Sequence, residues 1–172
     1  DDTTDCTTAI QTAVDVAAVA GGQVWIPEGQ WKTTAPILMA AKTNITGAGS
    51  GSIVRPVSTN CFTLPFYTSF GKVQFTNFMI EGTTCTTHTA ILQAGSLDDA
   101  DELYGITLDA MLITDYQTAV SFRSARVFTI HNCWFQDINI ALNLTGKNLV
   151  GNIVGNEFVY GSGSGAGSKI GI

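Results

Sequence analysis

Acidic side chains recur in the second half of the chain at a regular interval. Asp115 and Asp137 lie 22 residues apart, Asp109 and His131 are separated by the same interval, and Glu81 precedes both pairs. Two carboxyl groups held roughly 5–9.5 Å apart can cleave a glycosidic bond, one as the acid and the other as nucleophile or base. If the fold stacks residues at this interval, Asp115, Asp137, Asp109 and Glu81 are the candidate catalytic residues.

Aromatic and imidazole side chains accompany these acids. Trp134, Tyr116 and Tyr160 offer flat apolar faces on which a sugar ring can lie, and each also carries a polar atom. His131 adds an imidazole, which exchanges protons close to neutral pH. We expect these four side chains to contact the substrate, although an outward Trp134 could equally be covered by a partner chain or a long loop.

A structural role is open for each of the acids. Asp115 and Asp137 could cap turns by accepting hydrogen bonds from backbone N–H groups. Asp109 and His131 could form a surface pair of small energetic value, and Glu81 could lie on a solvated face. The sequence alone leaves both interpretations standing.

The four cysteines give no sign of a metal site. Cys6, Cys61, Cys85 and Cys133 form no CxxC pair, and their spacing does not match a zinc site. Cys85 and His88 lack two further ligands at a suitable distance along the chain. We predict no metal, no cofactor and reduced thiols, while a Cys61–Cys85 disulfide stays open because pairing cannot be read from sequence.

One segment has the pattern of an α-helix that must precede the rest of the fold. In residues 8–20 the apolar side chains Ile10, Val14 and Ala17 recur at helical spacing. Thr8 followed by Gln11 three residues later predicts a capping box. Gly21-Gly22 predicts the end of the helix, because glycine accepts the left-handed conformation of a helix terminus.

After Gly22 the chain changes to short apolar runs separated by turns, which predicts β-strands. Apolar residues recur at 22 or 23 residues after one longer interval. This period predicts a parallel β-solenoid, whose coils bury their inner faces only by stacking about 4.8 Å apart. A β-sandwich with accidental spacing is the alternative. The recurring residues form three columns: Ile80, Ile113, Phe135 and Phe158; Phe75, Leu108, Ile130 and Ile153; and Ala90-Ile91, Ala119-Val120 and Ala141-Leu142.

The strands and turns of such coils can be placed on the sequence. Asn77 and Asn132 follow strand-like runs and predict the left-handed turns between two faces of a coil. A loop inserted in one coil, either "GTTCTTHTA" or "AGSLDDADEL", explains the longer interval. The early strands are predicted at residues 24–26, 31–33, 37–39, 44–46 and 53–54.

Composition excludes two classes of partner. The 172 residues carry a net charge of −6 with only 8 Lys plus Arg, whereas a nucleic-acid binder needs a basic face. No uninterrupted apolar run of about 18 residues is present, so we expect no membrane insertion.

The start of the chain resembles a known family. "DDTTDCTTAIQTAVDVAAVAGGQVWIPEGQW" opens residues 1–54, which resemble the opening of the pectate-lyase-like right-handed parallel β-helix superfamily. Within it, they are most similar to bacteriophage tailspike and tail-appendage proteins. The resemblance implies an all-β, right-handed parallel β-helix (solenoid) with an N-terminal capping α-helix. Residues 1–22 would form the cap and residues 23–172 the coils, with Trp25 or Trp31 near the cap.

The resemblance also implies a function. A tailspike-type β-helix binds host surface polysaccharide, and depolymerisation of that polysaccharide is the open question here. A secreted polysaccharide lyase, hydrolase or epimerase, and a structural β-helix module without catalysis, are the alternatives. Pectate-lyase calcium ligands and the NTD, GHG and RIK motifs of polygalacturonases are missing, so the reaction type is undecided.

Tailspikes are trimers in the virion tail, so the resemblance implies a homotrimer outside the cell. Trp134, Phe128 and Tyr116 are expected to face outward, and an outward apolar strip usually marks a contact surface. Because the chain begins inside the family's opening motif and ends on an apolar stretch, we expect a fragment of a longer protein.

Overall fold

The computed structural model describes residues 3–64, 72–93, 103–146 and 150–159. Within them, one α-helix precedes a succession of short strands, and no helix is long and apolar enough to cross a membrane. The elements are α1 (Thr7–Ala20), β1 (Gln23–Ile26), β2 (Gly29–Thr33), β3 (Ile37–Leu38), β4 (Asn44–Gly47), β5 (Ser52–Pro56), β6 (Phe62–Leu64), β7 (Val73–Thr76), β8 (Met79–Gln93), β9 (Leu103–Asp109), β10 (Leu112–Phe122), β11 (Ala125–His131), β12 (Trp134–Gln136), β13 (Ile140–Leu144), β14 (Val150–Val154) and β15 (Glu157–Val159).

The strands form parallel sheets along which the chain advances one coil at a time. The first sheet has the order β1-β4-β7-β9-β11-β14, and the second has the order β2-β5-β8-β10-β12-β15. The second half of β8 pairs with β6, which also pairs with β3. The second half of β10 pairs with β13. Consecutive strands of each sheet come from successive coils, so the fold is all-β and parallel β-helix-like, as predicted.

The three apolar columns are confirmed by the strand register. Ile80 pairs with Ile113, Ile113 with Phe135, and Phe135 with Phe158. The column from Phe75 to Ile153 and the one from Ile91 to Leu142 keep the same order. Most of these side chains are buried, so the columns form the core between the sheets.

The corner between the first and second sheets, called the first corner, is built from left-handed residues. Asn77 and Asn132 have φ angles of 59° and 54°, which confirms the predicted turns. Ala110 and Gly155 occupy the equivalent positions of their coils with φ angles of 52° and 66°. One left-handed residue per coil lets the chain change direction, while the backbone hydrogen bonds between successive coils continue.

Part of the longer first interval lies inside a strand. "GTTCTTHTA" belongs to β8, where the register against β10 shifts on either side of Tyr116. Each shift adds residues to β8 that have no partner in β10, as in a β-bulge. The other predicted loop, including Asp98 and Asp99, lies mostly outside the described residues.

The capping helix starts differently from the prediction. Gly21 ends it with φ 69° and ψ 51°, as expected, but the Thr8–Gln11 capping box is wrong. The helix begins at Thr7, so Thr8 already lies inside its first turn. Gln11 turns outward from the helix and bonds both backbone groups of Leu38, at 2.7 Å and 3.0 Å. These bonds fix α1 to β3 across the end of the coils.

The carboxylate of Asp5 stabilises the start of the helix instead. It accepts hydrogen bonds from the Thr34 hydroxyl at 2.5 Å and from the hydroxyl and backbone N–H of Thr7 at 2.5 Å and 2.9 Å. These bonds, the one from Thr34 above all, lower the pKa of Asp5 from 3.8 to about 2. The carboxylate therefore links the helix to the segment that follows β2.

Acid should loosen this link. Because the folded pKa lies below the unfolded one, the contribution of Asp5 is present above pH 3.8 and is lost as the pH falls towards 2. We expect the Asp5 carboxyl carbon to titrate near pH 2 by NMR, and the Asp5→Asn variant to lose this part of the acid dependence. An Asp5 midpoint near 3.8 in the folded protein would contradict the prediction.

Candidate functional site

The first corner brings Asp109 and His131 together. Asp109 ends β9 and His131 ends β11, and the two are register partners in the first sheet. His131 Nδ1 lies 3.2 Å from Asp109 Oδ1, and both side chains are about one-third exposed, 29% and 34%. The Asn132 amide nitrogen lies 3.1 Å from the same imidazole nitrogen and 3.5 Å from the same carboxylate oxygen. The corner therefore holds a carboxylate, an imidazole and an amide within about hydrogen-bond distance of one another.

Trp134 lies on the other side of the same corner. It starts β12, two residues beyond the left-handed Asn132, and 43% of its surface is exposed. It therefore faces outward, as predicted, on the second sheet, while His131 faces outward on the first. A glycan lying across the corner would meet an imidazole–carboxylate pair and then a flat indole face.

The outer face of the first sheet also carries a groove, which was not predicted from the sequence. Its outward positions are polar, with Asn44 paired to Gln74, Gln74 to Thr107 and Thr107 to Thr129. At one edge of this face lies a cavity of about 460 Å³, called here the lysine groove. Its lining consists of Lys42, Asn44, Lys72, Gln74, Tyr104, Gly105 and Val127.

The lysine groove and the Asp109–His131 pair share one face. Gly105 and Asp109 both belong to β9 and are four residues apart, which corresponds to about 13 Å along a strand. The signal that could have revealed the groove is the equal offset of its lysines: each stands two residues before an outward amide, Asn44 or Gln74. Those lysines are 30 residues apart, outside the 22-residue period.

The remaining acids lie on the second sheet. Asp115 and Asp137 follow the register partners Thr114 and Gln136, in the stacking order that was predicted. Both are left-handed, with φ angles of 62° and 54°, and Asp137 accepts a 3.1 Å hydrogen bond from Gln136 Nε2. Their backbone shape gives them a turn-forming role, and their catalytic role stays a prediction.

Glu81 is more than a solvated side chain. It is the register partner of Thr114, and its carboxylate lies 2.7 Å from Arg55 Nε. Arg55 in turn donates to Gln30 at 2.7 Å. The ion pair compensates the charge of Glu81. The four predicted acids are divided between two sheets, with Asp109 on the first and the other three on the second. Of the four, only Asp109 has a described contact with an imidazole.

The prediction for Tyr116 is wrong. Its side chain is only 2% exposed, and burial raises its phenol pKa well above the usual range. Asp115 causes the error: its left-handed backbone interrupts the alternation of the strand, so the next side chain points inward. Tyr116 therefore cannot stack on a sugar, whereas Tyr160 lies outside the described residues.

Phe128 was also expected to face outward and does not. It is 3% exposed and packs against Phe122, with ring centroids 5.6 Å apart. It lies two residues before the inward Ile130, so regular strand alternation also places it inside. Of the proposed apolar strip, only Trp134 reaches the surface.

The cysteines are free, and three of the four are buried. Cys61 and Cys85 form no disulfide. Burial raises the pKa of the Cys61 thiol and raises that of Cys133 to about 11, so these thiols stay protonated and unreactive. In the part of the chain that the structure describes, no three His, Cys, Asp or Glu side chains group as metal ligands would.

Similarity to known proteins is clearest at the start of the chain and in the fold. Residues 1–62 match the family model described as rhamnogalacturonase A/epimerase, pectate lyase-like. A candidate glycosyl hydrolase from Parabacteroides merdae ATCC 43184 has a similar structure, with a TM-score of 0.57 at 14% identity. The similarity covers 98% of this chain and 94% of that one, which shows a shared fold.

A second solved structure is less similar. It is the catalytic unit of the thermostable GH87 α-1,3-glucanase from Streptomyces thermodiastaticus strain HF3-3, with a TM-score of 0.47 at 18% identity. The alignment covers 96% of this chain, which spans 40% of the glucanase chain. No curated protein sequence matches the chain.

Proposed function

We propose that the chain belongs to a polysaccharide-acting, right-handed parallel β-helix of the pectate-lyase-like superfamily, with its glycan lying across the first corner. The observation that carries the proposal is the exposed Asp109–His131 pair, 3.2 Å between carboxylate and imidazole. The match of residues 1–62 to the pectate-lyase-like family model supports the substrate class. The structural similarity to a candidate glycosyl hydrolase supports the fold.

The proposed chemistry uses the two sides of the imidazole differently. His131 Nδ1 faces Asp109 and Asn132, whereas Nε2 has no hydrogen-bond partner among the described residues. Nε2 would take a proton from the attacking water or from a sugar carbon, and Asp109 would stabilise the resulting imidazolium. As the glycosidic C–O bond breaks, the departing sugar oxygen would take its proton from solvent water. Trp134 would hold the sugar ring by its apolar face.

Substitution of the pair tests this proposal. We expect Asp109→Asn and His131→Gln each to lower the cleavage rate by about a hundredfold or more, because proton transfer by a positioned group contributes on this scale. Release of reducing ends should be measured on purified bacterial capsular and O-antigen polysaccharides and on polygalacturonate. Asp15→Asn is the matched control, since it removes the same charge from the exposed face of α1.

Thermal melting separates a chemical effect from a folding effect. Unchanged melting with lost cleavage supports the proposal, whereas full activity in both variants would refute it. Asp115→Asn and Asp137→Asn belong in the same assay, because asparagine tolerates the left-handed backbone at both positions. If these two variants lose cleavage while Asp109→Asn stays active, the catalytic site lies on the second sheet instead.

Within this proposal, the more specific function is that of a bacteriophage tailspike-type protein. It would act on host surface polysaccharide as a homotrimer in the virion tail. It is supported by the resemblance of residues 1–54 and by the outward Trp134, which is 43% exposed. The second candidate is a secreted polysaccharide lyase, hydrolase or epimerase, and the enzymes named in the family model's description favour its catalytic part. Light scattering on the intact protein distinguishes a trimer from a monomer.

A further inference from the structure

We infer that Asn156 is a positioning residue that keeps the proton of the neutral His131 imidazole on Nδ1, so that Nε2 is free to act as the base. The inference deepens the proposed function, because it rests on Nε2 as the proton acceptor. Asn156 acts through the backbone that carries His131, in the protein without substrate. The tautomer can therefore be measured whether or not any polymer is cleaved.

Successive coils carry matching residues at the first corner, and the coil after His131 departs from the pattern. Three coils place a buried apolar side chain directly after the left-handed residue: Phe78, Met111 and Cys133, each 1% exposed. The strand register puts Asn156 at this position of the next coil. A polar side chain in an apolar column is costly unless it forms hydrogen bonds. Its contacts therefore indicate its role.

Asn156 fixes the turn from which the imidazole extends. Its Nδ2 donates to the Ile130 carbonyl oxygen at 2.8 Å, and its Oδ1 accepts from the backbone N–H of Cys133 at 2.9 Å. These two backbone groups flank His131 and Asn132. One side chain of the next coil therefore holds both ends of the two-residue turn and the backbone that sets the direction of the imidazole.

Gly155, which precedes Asn156, acts on the same turn. It occupies the left-handed position that Asn132 holds in the coil of His131. A Cβ at Gly155 would lie only 3.0 Å from Asn132 Oδ1, so glycine leaves room for the Asn132 amide. That amide stays beside the pair, with its Nδ2 3.5 Å from Asp109 Oδ1.

The partners of His131 Nδ1 determine which tautomer this geometry favours. A carboxylate only accepts hydrogen bonds, so a hydrogen bond across the 3.2 Å contact with Asp109 Oδ1 requires the proton on Nδ1. The Asn132 amide then donates to the same carboxylate oxygen. Val154, the register partner on the other side of His131, has no polar side-chain atom. Nε2 therefore keeps its lone pair, as a general base must.

The opposite tautomer has a hydrogen-bond donor close by. An imidazole that turned away from Asp109 would accept a hydrogen bond from Asn132 Nδ2, which already lies 3.1 Å from His131 Nδ1. Its proton would then lie on Nε2, and the base would be lost. By fixing the turn, Asn156 keeps the imidazole against the carboxylate.

Nitrogen NMR of the labelled full chain tests the inference. The chain has two histidines, His88 and His131, so the His131→Gln variant identifies the His131 signals. At about pH 9, where an ordinary imidazole is neutral, we expect His131 to carry its proton mainly on Nδ1. Asn156→Ala and Asn156→Met should each lower the ratio of Nδ1–H to Nε2–H about threefold or more. Methionine occupies this column at Met111, so Asn156→Met suits the fold without forming the two hydrogen bonds.

Asn60→Ala is the matched control. Asn60 Oδ1 accepts from the backbone N–H of Thr89 at 2.8 Å, the same type of bond at another place in the fold. Its loss should lower the melting temperature without changing the His131 ratio. If the proposed function holds, both Asn156 variants should also lower kcat about threefold or more with KM little changed.

The outcomes separate this inference from the proposed function. A His131 that carries its proton mainly on Nε2 would overturn the inference. So would an unchanged ratio in both Asn156 variants, or an equal change in Asn60→Ala. If no polymer is cleaved but the tautomer depends on Asn156, the positioning role stands and the proposed chemistry fails.

Discussion

Phe75→Ala is expected to lower the free energy of unfolding by about 3–5 kcal/mol, the usual cost of removing a buried aromatic ring. The Phe75 side chain is fully buried. In the first sheet it stands between its register partners Ile45 and Leu108. Its ring centroid lies 5.1 Å from that of Phe62 and 6.5 Å from that of Phe78. Truncation would leave a cavity that three coils border.

Denaturant unfolding followed by circular dichroism measures this effect. Phe158→Ala is the matched control: it removes the same ring from a column position, but one that is 38% exposed. We expect a clearly smaller loss there, because less apolar surface leaves the core. Equal losses in the two variants, or a loss below about 1 kcal/mol for Phe75→Ala, would contradict the stacked-column description of the core.

Gly82→Ala is expected to destabilise the protein by about 3 kcal/mol, at the upper end of overpacking costs. A Cβ at Gly82 would lie 2.3 Å from Cε2 and 2.4 Å from Cδ2 of Tyr116. The obstacle is a buried ring, whose neighbours leave it little freedom to move aside. The inward Tyr116 ring therefore requires a residue without a side chain at position 82 in the neighbouring coil.

A double-mutant cycle isolates this contact. Tyr116→Ala alone should destabilise through the cavity that it creates, but the further cost of Gly82→Ala should be small once the ring is gone. Gly51→Ala is the control, because the nearest atom to a Cβ there is Glu28 Cγ at 3.5 Å, an ordinary contact. Additive losses in the Gly82–Tyr116 cycle would show that the two residues do not touch.

The periodic parts of the fold could be predicted because stacking is a strict geometric requirement. Every coil must place an apolar residue above that of its neighbour, so the column from Ile80 to Phe158 is visible as a repeat. Turn residues were visible for a related reason. Asn132 and Gly21 adopt left-handed backbones that few other residue types accept.

The orientation of individual side chains was harder to predict from the sequence. Tyr116 was expected at the surface, but the left-handed backbone of Asp115 changes the direction of the chain and turns the Tyr116 side chain inward. The capping box at Thr8 failed because Gln11 gains two bonds to Leu38, a residue distant in sequence. In both cases a contact or corner outside the local pattern decided the outcome.

By itself, the sequence determined the coil period, the capping helix and the pairing of Asp109 with His131, since each depends on spacings that repeat along one chain. The tertiary structure alone decided how these parts meet. It separated Asp109 from Glu81 and placed the acids on two sheets, because each corner sends the strand onto a new face. It also assembled the lysine groove from Lys42, Lys72 and Tyr104. Because the coils differ in length, residues that are adjacent in space do not recur at a fixed spacing in the sequence. Backbone hydrogen bonds between the strands nevertheless place them side by side.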